Sequence, residues 1–327
     1  MPEQTYIEAI RSGLAEEMAR DPAVYVLGED VALGGPFGAT KGLAGEFGAN
    51  RVINTPISEG TVMGVAIGAA AAGLRPVVEV MFMDFITLAM DQLVNHAAKL
   101  HYMSGGQLKV PLTVRVQAGV SGSAGAHHSQ SFESWFMHVP GLKVVMPSNT
   151  ADAKGLLKSA IRDDNPVLYI EHRGLYWTRG EVPDGDYVVP PGVAAVLKTG
   201  NDVTVLAFSR MIQLALEAAG ELDAQGISAE IIDPRSLCPL DIDTIAASVR
   251  KTSRLVIVHE AVQTGGAGAE LAARVQEAAL DYLDSPIIRV GAPFTPVPFS
   301  PALEKEFLPA KDAIVKAVHR TIRHRPS

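Results

Sequence analysis

Between Pro76 and Met83 the chain reads Val77-Val78-Glu79-Val80-Met81-Phe82, one charge in an otherwise apolar run. Such a strand does not alternate between a dry and a wet face. It is buried on both faces, which places it in a parallel sheet covered by helices. Parallel neighbours need long crossover connections, usually helical. The chain supplies them in alternation, so the fold class is α/β with a mostly parallel sheet.

Thr5 to Arg20 predicts an amphipathic helix, with Ile7, Ile10, Leu14 and Met18 on one face and Glu8, Arg11, Glu16 and Glu17 outside. Val24 to Gly28 is a short strand, followed by Glu29-Asp30 and a Gly34-Gly35-Pro36-Phe37-Gly38 loop. Ile86 to Met103 predicts a second long helix, and Val110 to Val116 and Lys143 to Pro147 further strands. Ser148-Asn149-Thr150 caps a helix from Ala151 to Arg162, and Pro166 to Glu171 is again a strand. Glu181 to Pro191 is polar and rich in Pro and Gly, which marks a domain boundary. Beyond it, strands at 203–208, 228–233, 254–259 and 287–290 alternate with helices at 211–225 and 240–250, one ending at Leu280 and a last one at 310–323. Gly265-Gly266-Ala267-Gly268 lacks dinucleotide-binding spacing and reads as tight strand–helix packing.

A length of 327 residues suits two domains. The net charge of −8 offers no basic field for nucleic acid or an anionic membrane. The basic residues Arg320, Arg323 and Arg325, with His319 and His324, read as a solvated terminus. A lone cysteine, Cys238, forbids an internal disulfide and fits a reducing, cytoplasmic compartment; no signal peptide is expected at the N-terminus. The longest apolar run, Val62 to Leu74, is too short and Gly-rich for a membrane span.

Chemistry gathers at Asn54-Thr55-Pro56-Ile57-Ser58-Glu59-Gly60. Pro56 fixes an extended approach, and Ser58 can cap a helix whose first turn holds Glu59. Gly60, Gly64 and Gly68 share one helical face, bare enough for another helix to come close. Burial among small apolar residues raises a carboxylate's pKa and lets it exchange protons near neutrality. The alternative is a helix-start carboxylate favoured by the dipole. His127-His128 follows a Gly-rich loop. His128 is either a proton donor or acceptor, or a loop histidine bonded to backbone. Adjacent histidines do not make a zinc site, and no Gly-x-Ser-x-Gly elbow occurs. Asp163-Asp164-Asn165-Pro166 is a turn whose carbonyls can also hold a monovalent cation.

A family resemblance rests on ordered motifs: Thr55-Pro56-Ile57-Ser58-Glu59, Gly73-Leu74-Arg75-Pro76, Asp91-Gln92-Leu93-Val94-Asn95, Tyr102-Met103-Ser104-Gly105-Gly106, His128-Ser129-Gln130-Ser131, Pro140-Gly141-Leu142-Lys143-Val144-Val145 and Asp152-Ala153-Lys154-Gly155-Leu156-Leu157. Together they resemble the beta subunit of the thiamine-diphosphate-dependent dehydrogenase component of 2-oxo acid dehydrogenase complexes, a group that includes the pyruvate, branched-chain and acetoin enzymes. The resemblance implies a transketolase-like pyrimidine-binding domain at 1–180, a linker at 181–200 and a transketolase C-terminal-type α/β domain at 201–327. It implies that Glu59 bonds the ring nitrogen of the cofactor's aminopyrimidine and so helps deprotonate the thiazolium carbon. Phe85 matches the ring that stacks on the pyrimidine, Ile57 an apolar wall, and His128 a histidine that assists proton and acyl transfer. Leu112, Ala160, Ile161, Asp163 and Asn165 match a potassium site built largely of carbonyls.

No Gly-Asp-Gly occurs, so the magnesium that holds the diphosphate is expected on an alpha subunit. The resemblance implies an α2β2 heterotetramer that decarboxylates pyruvate or a related 2-oxo acid, or cleaves acetoin, and passes the acyl group to lipoamide on an acyltransferase core. Gly60-Thr61-Val62-Met63 and Gly291-Ala292-Pro293-Phe294 depart from commoner versions and leave the substrate open. The rival readings are a carbon-transfer subunit of transketolase or deoxyxylulose-phosphate-synthase type, and a non-catalytic docking subunit.

Overall fold

The protein is described by a computed structural model covering residues 2–324; Arg325 of the basic tail lies outside the described residues. The chain divides into two compact units, Met1–Ala118 with Trp135–Pro191, and Gly119–Ser134 with Gly192–Ser327.

In chain order come β1 (Glu3–Thr5), α1 (Tyr6–Arg20), β2 (Val24–Gly28), α2 (Leu43–Phe47), β3 (Val52–Asn54), α3 (Glu59–Ala71), β4 (Arg75–Val80), α4 (Ala98–Met103) and β5 (Thr113–Ala118). After α5 (Glu133–Met137) follow β6 (Lys143–Val145), α6 (Thr150–Arg162), β7 (Val167–His172) and β8 (Arg179–Glu181). Strands β6, β7, β5, β4, β2 and β3 lie side by side in that order, each neighbouring pair parallel. Val77, Val78 and Val80 of β4 are buried, as a strand covered on both faces requires.

Helix α1 starts at a capping box. Thr5 N donates to Glu8 Oε2 at 2.7 Å while Glu8 N donates to Thr5 Oγ1 at 3.3 Å. Its expected inner face is buried, but Glu17, expected outside, is fully buried too. The reason is a partner far along the chain. Arg162 of α6 donates to Glu17 Oε1 at 2.6 Å, and Arg20 donates to its Oε2 at 2.8 Å. The expected cap of α6 is Asn149, whose side chain accepts from Asp152 N at 2.8 Å.

The expected helix from Ile86 to Met103 is broken. A 3₁₀ stretch over Met83–Ala89 leads into a π-helical stretch over Gln92–Ala97 and then α4. The wide turn keeps Leu93 and Ala97 both buried. Beside it lies the backbone of Gly141, where a Cβ would stand 1.9 Å from the Ala98 carbonyl oxygen. A neighbouring backbone thus takes the room beside the irregular helix.

The second unit contains β9 (Ala195–Lys198), β10 (Val203–Ala207), α7 (Met211–Asp223), β11 (Ala229–Asp233), β12 (Ser236–Cys238), α8 (Ile242–Thr252), β13 (Leu255–Val262), α9 (Ala267–Ala279), β14 (Ile288–Ala292), α10 (Pro301–Phe307) and α11 (Lys311–Ile322). Its sheet runs β14, β13, β10, β11, β9, parallel except for β9. The Gly-rich turn before α9 packs tightly: Cβ atoms on Gly266 and Gly268 would come within 2.6 and 2.8 Å of the His259 ring. Among the described residues no helix is long and apolar enough to cross a membrane.

Candidate active site

In open parallel sheets, ligands gather beyond the carboxyl ends of the strands. In the first unit β2 ends at Gly28 and is followed by Glu29, and β3 ends at Asn54 and leads to Glu59. The third neighbour, β4, ends at Val80 and leads to Phe85. Thr55 N donates to Gly28 O at 3.0 Å, and Asn54 Oδ1 accepts from Ala32 N at 2.7 Å, so the loops after β2 and β3 are tied together.

Ser58 occupies the N-cap position of α3 without capping it; its hydroxyl donates back to Pro56 O at 3.1 Å. Glu59 opens the first turn and is half-buried. Its charge is felt nearby: Glu29 has its pKa raised by burial first, then by Glu59 and Asp30. Ile57 is 79% exposed, an apolar side chain left uncovered by this chain. Phe85 is half-buried and meets Phe82 edge-on, with centroids 6.1 Å apart. A Cβ on Gly60 would lie 3.1 Å from Leu88 O, so the start of α3 packs on the stretch that carries Phe85. Ile57 and Glu59, after β3, and Phe85, after β4, thus lie beyond the carboxyl ends of strands of one sheet, with the start of α3 packed on the stretch that carries Phe85.

Within this chain a close approach to the glycine face is made at Gly60. Gly64 has Gln92 Cγ at 3.9 Å from a Cβ position, and Gly68 has nothing within 4 Å. An apolar groove of about 460 Å³ lies along the outer side of α3 and β3, lined by Tyr25, Ile53, Pro56, Val62, Val65 and Leu74, but not by Glu59 or Phe85.

His128 belongs to the second unit, in the 119–134 loop. That loop is held by Val120 N donating to Glu260 Oε1 at 2.5 Å and Ser123 N donating to Glu304 Oε2 at 2.7 Å. Glu133 closes it, fully buried, its pKa pushed up to about 7 by burial, with the charge of Glu260 adding to the rise.

The residues implied for potassium gather where β5 begins and α6 ends. Leu112 O accepts from Val167 N at 2.9 Å, and Ala160 O accepts from Asp163 N at 3.3 Å. Asp163 Oδ1 accepts from Asn165 N at 2.9 Å, and its other oxygen pairs with Lys143. Among the described residues, no group of three or more His, Cys, Asp or Glu side chains is arranged to hold a metal ion.

Sequence reasoning missed a buried cluster in the same sheet. Arg115 of β5 pairs with Glu79 of β4 and Glu171 of β7. A charged residue in each of three apolar strands was the available signal, but their adjacency depends on strand order.

The family described as "Transketolase, pyrimidine binding domain" matches residues 3–178, and "Transketolase, C-terminal domain" matches residues 192–314. The "Acetoin:2,6-dichlorophenolindophenol oxidoreductase subunit beta" of Bacillus subtilis is 49% identical over 302 residues, which covers 92% of this chain and 88% of that protein. The chain belongs to the beta-subunit family of thiamine-diphosphate-dependent 2-oxo acid and acetoin dehydrogenases. The "Pyruvate dehydrogenase E1 component subunit beta" of Rickettsia felis is another member, 47% identical over 317 residues and 97% of both chains. These names mark subunits of larger dehydrogenase assemblies. A solved structure titled "Split gene transketolase, inactive beta4 tetramer" superposes with a TM-score of 0.79 at 26% identity, over 98% of this beta-subunit chain and 99% of that one. A transketolase from Leishmania mexicana shares the fold, with a TM-score of 0.75 at 19% identity; the match spans 98% of this chain and 46% of that one.

Proposed function

We propose that this chain is the half-site subunit of an α2β2 oxidoreductase that cleaves a small 2-oxo acid or acetoin and delivers the acyl group to lipoamide on an acyltransferase core. The reading is supported above all by Ile57, Glu59 and Phe85 lying beyond the carboxyl ends of β3 and β4, where the start of α3 packs on the stretch that carries Phe85. The lack of a Gly-Asp-Gly motif supports a diphosphate and magnesium ion held by an alpha subunit. The residues present fit the pyrimidine end of thiamine diphosphate: a half-buried carboxylate, a half-buried aromatic ring and an exposed apolar side chain. Bound thiamine diphosphate supplies a carbon acid that becomes a nucleophile toward a carbonyl.

Glu59 holds a proton at the pyrimidine ring nitrogen, and Phe85 offers its ring to the pyrimidine. Ile57 gives an apolar wall that the partner subunit completes, shutting out water. His128 moves a proton at the substrate oxygen and assists transfer to sulfur. The Leu112 and Ala160 carbonyls, with Ile161, Asp163 and Asn165, hold a potassium ion that braces the start of β5. The single half-buried cysteine is in keeping with a cytoplasmic location.

The test is co-expression with an alpha subunit of the same dehydrogenase family. Pyruvate, branched-chain 2-oxo acids and acetoin are then assayed with thiamine diphosphate, magnesium and an artificial electron acceptor. Turnover is expected from the pair and not from this chain alone. Turnover by this chain alone would overturn the half-site reading.

A further inference from the structure

Three charged side chains lie in the sheet whose strands lead to Glu59 and Phe85. Arg115 Nη1 donates to Glu79 Oε2 at 2.5 Å, Nε to Glu171 Oε1 at 2.7 Å and Nη2 to Glu171 Oε2 at 3.1 Å. None is reached by solvent beyond a trace. Two carboxylates against one guanidinium leave an uneven buried charge. Burial accordingly raises the Glu79 pKa, although Arg115 opposes it. Glu79 Oε1 is buried with no hydrogen-bond partner. Such clusters seldom stabilise a fold more than apolar residues of the same shape. Stability alone is a weak reason for this one.

The cluster is joined to the site by contacts. Tyr176 donates to Glu171 Oε2 at 2.7 Å. The Tyr176 ring lies 5.4 Å from that of Phe37, Phe37 lies 6.2 Å from Phe82, and Phe82 lies 6.1 Å from Phe85. Arg173 sits over Phe82 at 5.2 Å. The far side of the cluster meets the same loop: a Cβ on Gly35 would stand 2.6 Å from Glu79 Oε1, two residues before Phe37. The ring of Phe85 is thus backed by a chain of tilted and edge-on ring contacts whose far end, Tyr176, bonds to the buried Glu171.

We infer that Arg115, with Glu79 and Glu171, is a positioning device for Phe85. It fixes Tyr176 and the Gly34–Gly38 loop, and these hold Phe37 and Phe82 behind the ring that receives the pyrimidine. The inference rests on the stacking role proposed for Phe85.

Tyr176→Phe tests it with little risk to folding, because only the hydroxyl is lost. Thiamine diphosphate is titrated calorimetrically into the cofactor-free heterotetramer, with melting temperature and kcat at saturating cofactor measured in parallel. The expected result is binding weakened about fivefold to tenfold, the scale of one ordinary hydrogen bond, because the change reaches the pyrimidine only through the intervening rings. The kcat at saturation stays within about twofold, since no reacting group is touched. Phe85→Ala is the control. If Phe85→Ala binds as the wild type does, the stacking role fails and the inference with it. If Phe85→Ala weakens binding and Tyr176→Phe does not, the positioning inference alone is overturned. The double variant should bind no more weakly than Phe85→Ala; additive losses would also overturn it, because Tyr176 would then act by another route.

Discussion

Arg75 Nη1 donates to the Ile161 carbonyl at 3.1 Å and to the Asp163 carbonyl at 3.0 Å. A guanidinium thus engages two of the residues proposed for potassium. The Leu112 and Ala160 carbonyls each accept one backbone N–H and keep a second lone pair. The proposed potassium ion would use these carbonyls beside rather than instead of Arg75. The heterotetramer should melt at a higher temperature in potassium chloride than in tetramethylammonium chloride of equal ionic strength. At a hundredfold excess over Kd, linkage supplies about 2.7 kcal/mol. Equal melting temperatures in the two salts rule the ion out.

Glu59→Gln keeps the size of the side chain and removes its acid. Because Glu59 is half-buried, the melting temperature should stay close to that of the parent. Turnover with the alpha subunit should fall by about 10²-fold or more, the usual worth of a positioned proton carrier. Full turnover by the Glu59→Gln heterotetramer would falsify the proton role.

Much of this architecture was legible because it depends on local pattern. The Thr5–Glu8 capping box, the apolar face of α1 and the two-sided burial of β4 follow from residues a few positions apart. Glu59 stood out by its place in the first turn of a helix after β3, whereas the roles proposed for Ile57 and Phe85 come from the family resemblance and not from local pattern. What escaped depends on distant partners. Glu17 has a helix-surface position by periodicity, yet its partner Arg162 lies 145 residues away. Glu79 reads as one charge in an apolar strand until β5 and β7 bring Arg115 and Glu171 beside it. The irregular turns after Met83 escaped because an apolar spacing of three and four residues suits α, 3₁₀ and π turns alike.

Gly141 is a position where only glycine fits. Its φ is +95°, and a Cβ would meet the Ala98 carbonyl oxygen at 1.9 Å. That oxygen is helix backbone and cannot swing aside. Gly141→Ala should cost more than about 3 kcal/mol, read as a lowered urea midpoint of the full chain. A loss below about 1 kcal/mol would show that the turn relaxes freely.

Gly68 predicts the opposite sign. It sits inside α3 with nothing within 4 Å of a Cβ position. Gly68→Ala should stabilise the isolated chain by about 0.5–1 kcal/mol through helix propensity. If the bare face packs on the alpha subunit, the same variant should weaken assembly, seen as dissociation in size-exclusion chromatography at low concentration. Unchanged assembly would free the Gly64 and Gly68 face from that role.

The second unit carries two buried groups whose pH responses oppose each other. Burial, aided by the charge of Glu260, lifts Glu133 from 4.5 to about 7. The folded state keeps that proton while the unfolded chain sheds it above 4.5. Its contribution is therefore full below pH 4.5 and lost as pH rises to about 7, about 3 kcal/mol in all. Burial, with the charge of Arg289 acting the same way, drops His259 from 6.5 to about 4; its ring stacks on Phe208 at 6.0 Å. Its contribution is full above pH 6.5 and lost as pH falls to about 4, again about 3 kcal/mol. Between pH 4.5 and 6.5 the two slopes nearly cancel. Urea denaturation of the full chain across that window should show that Glu133→Gln gives a stability rising with pH relative to the parent, by at most about 1.4 kcal/mol per pH unit. His259→Gln should give a stability falling with pH relative to the parent. Parallel profiles for the parent and both variants would mean that neither group carries the shifted proton affinity its burial demands.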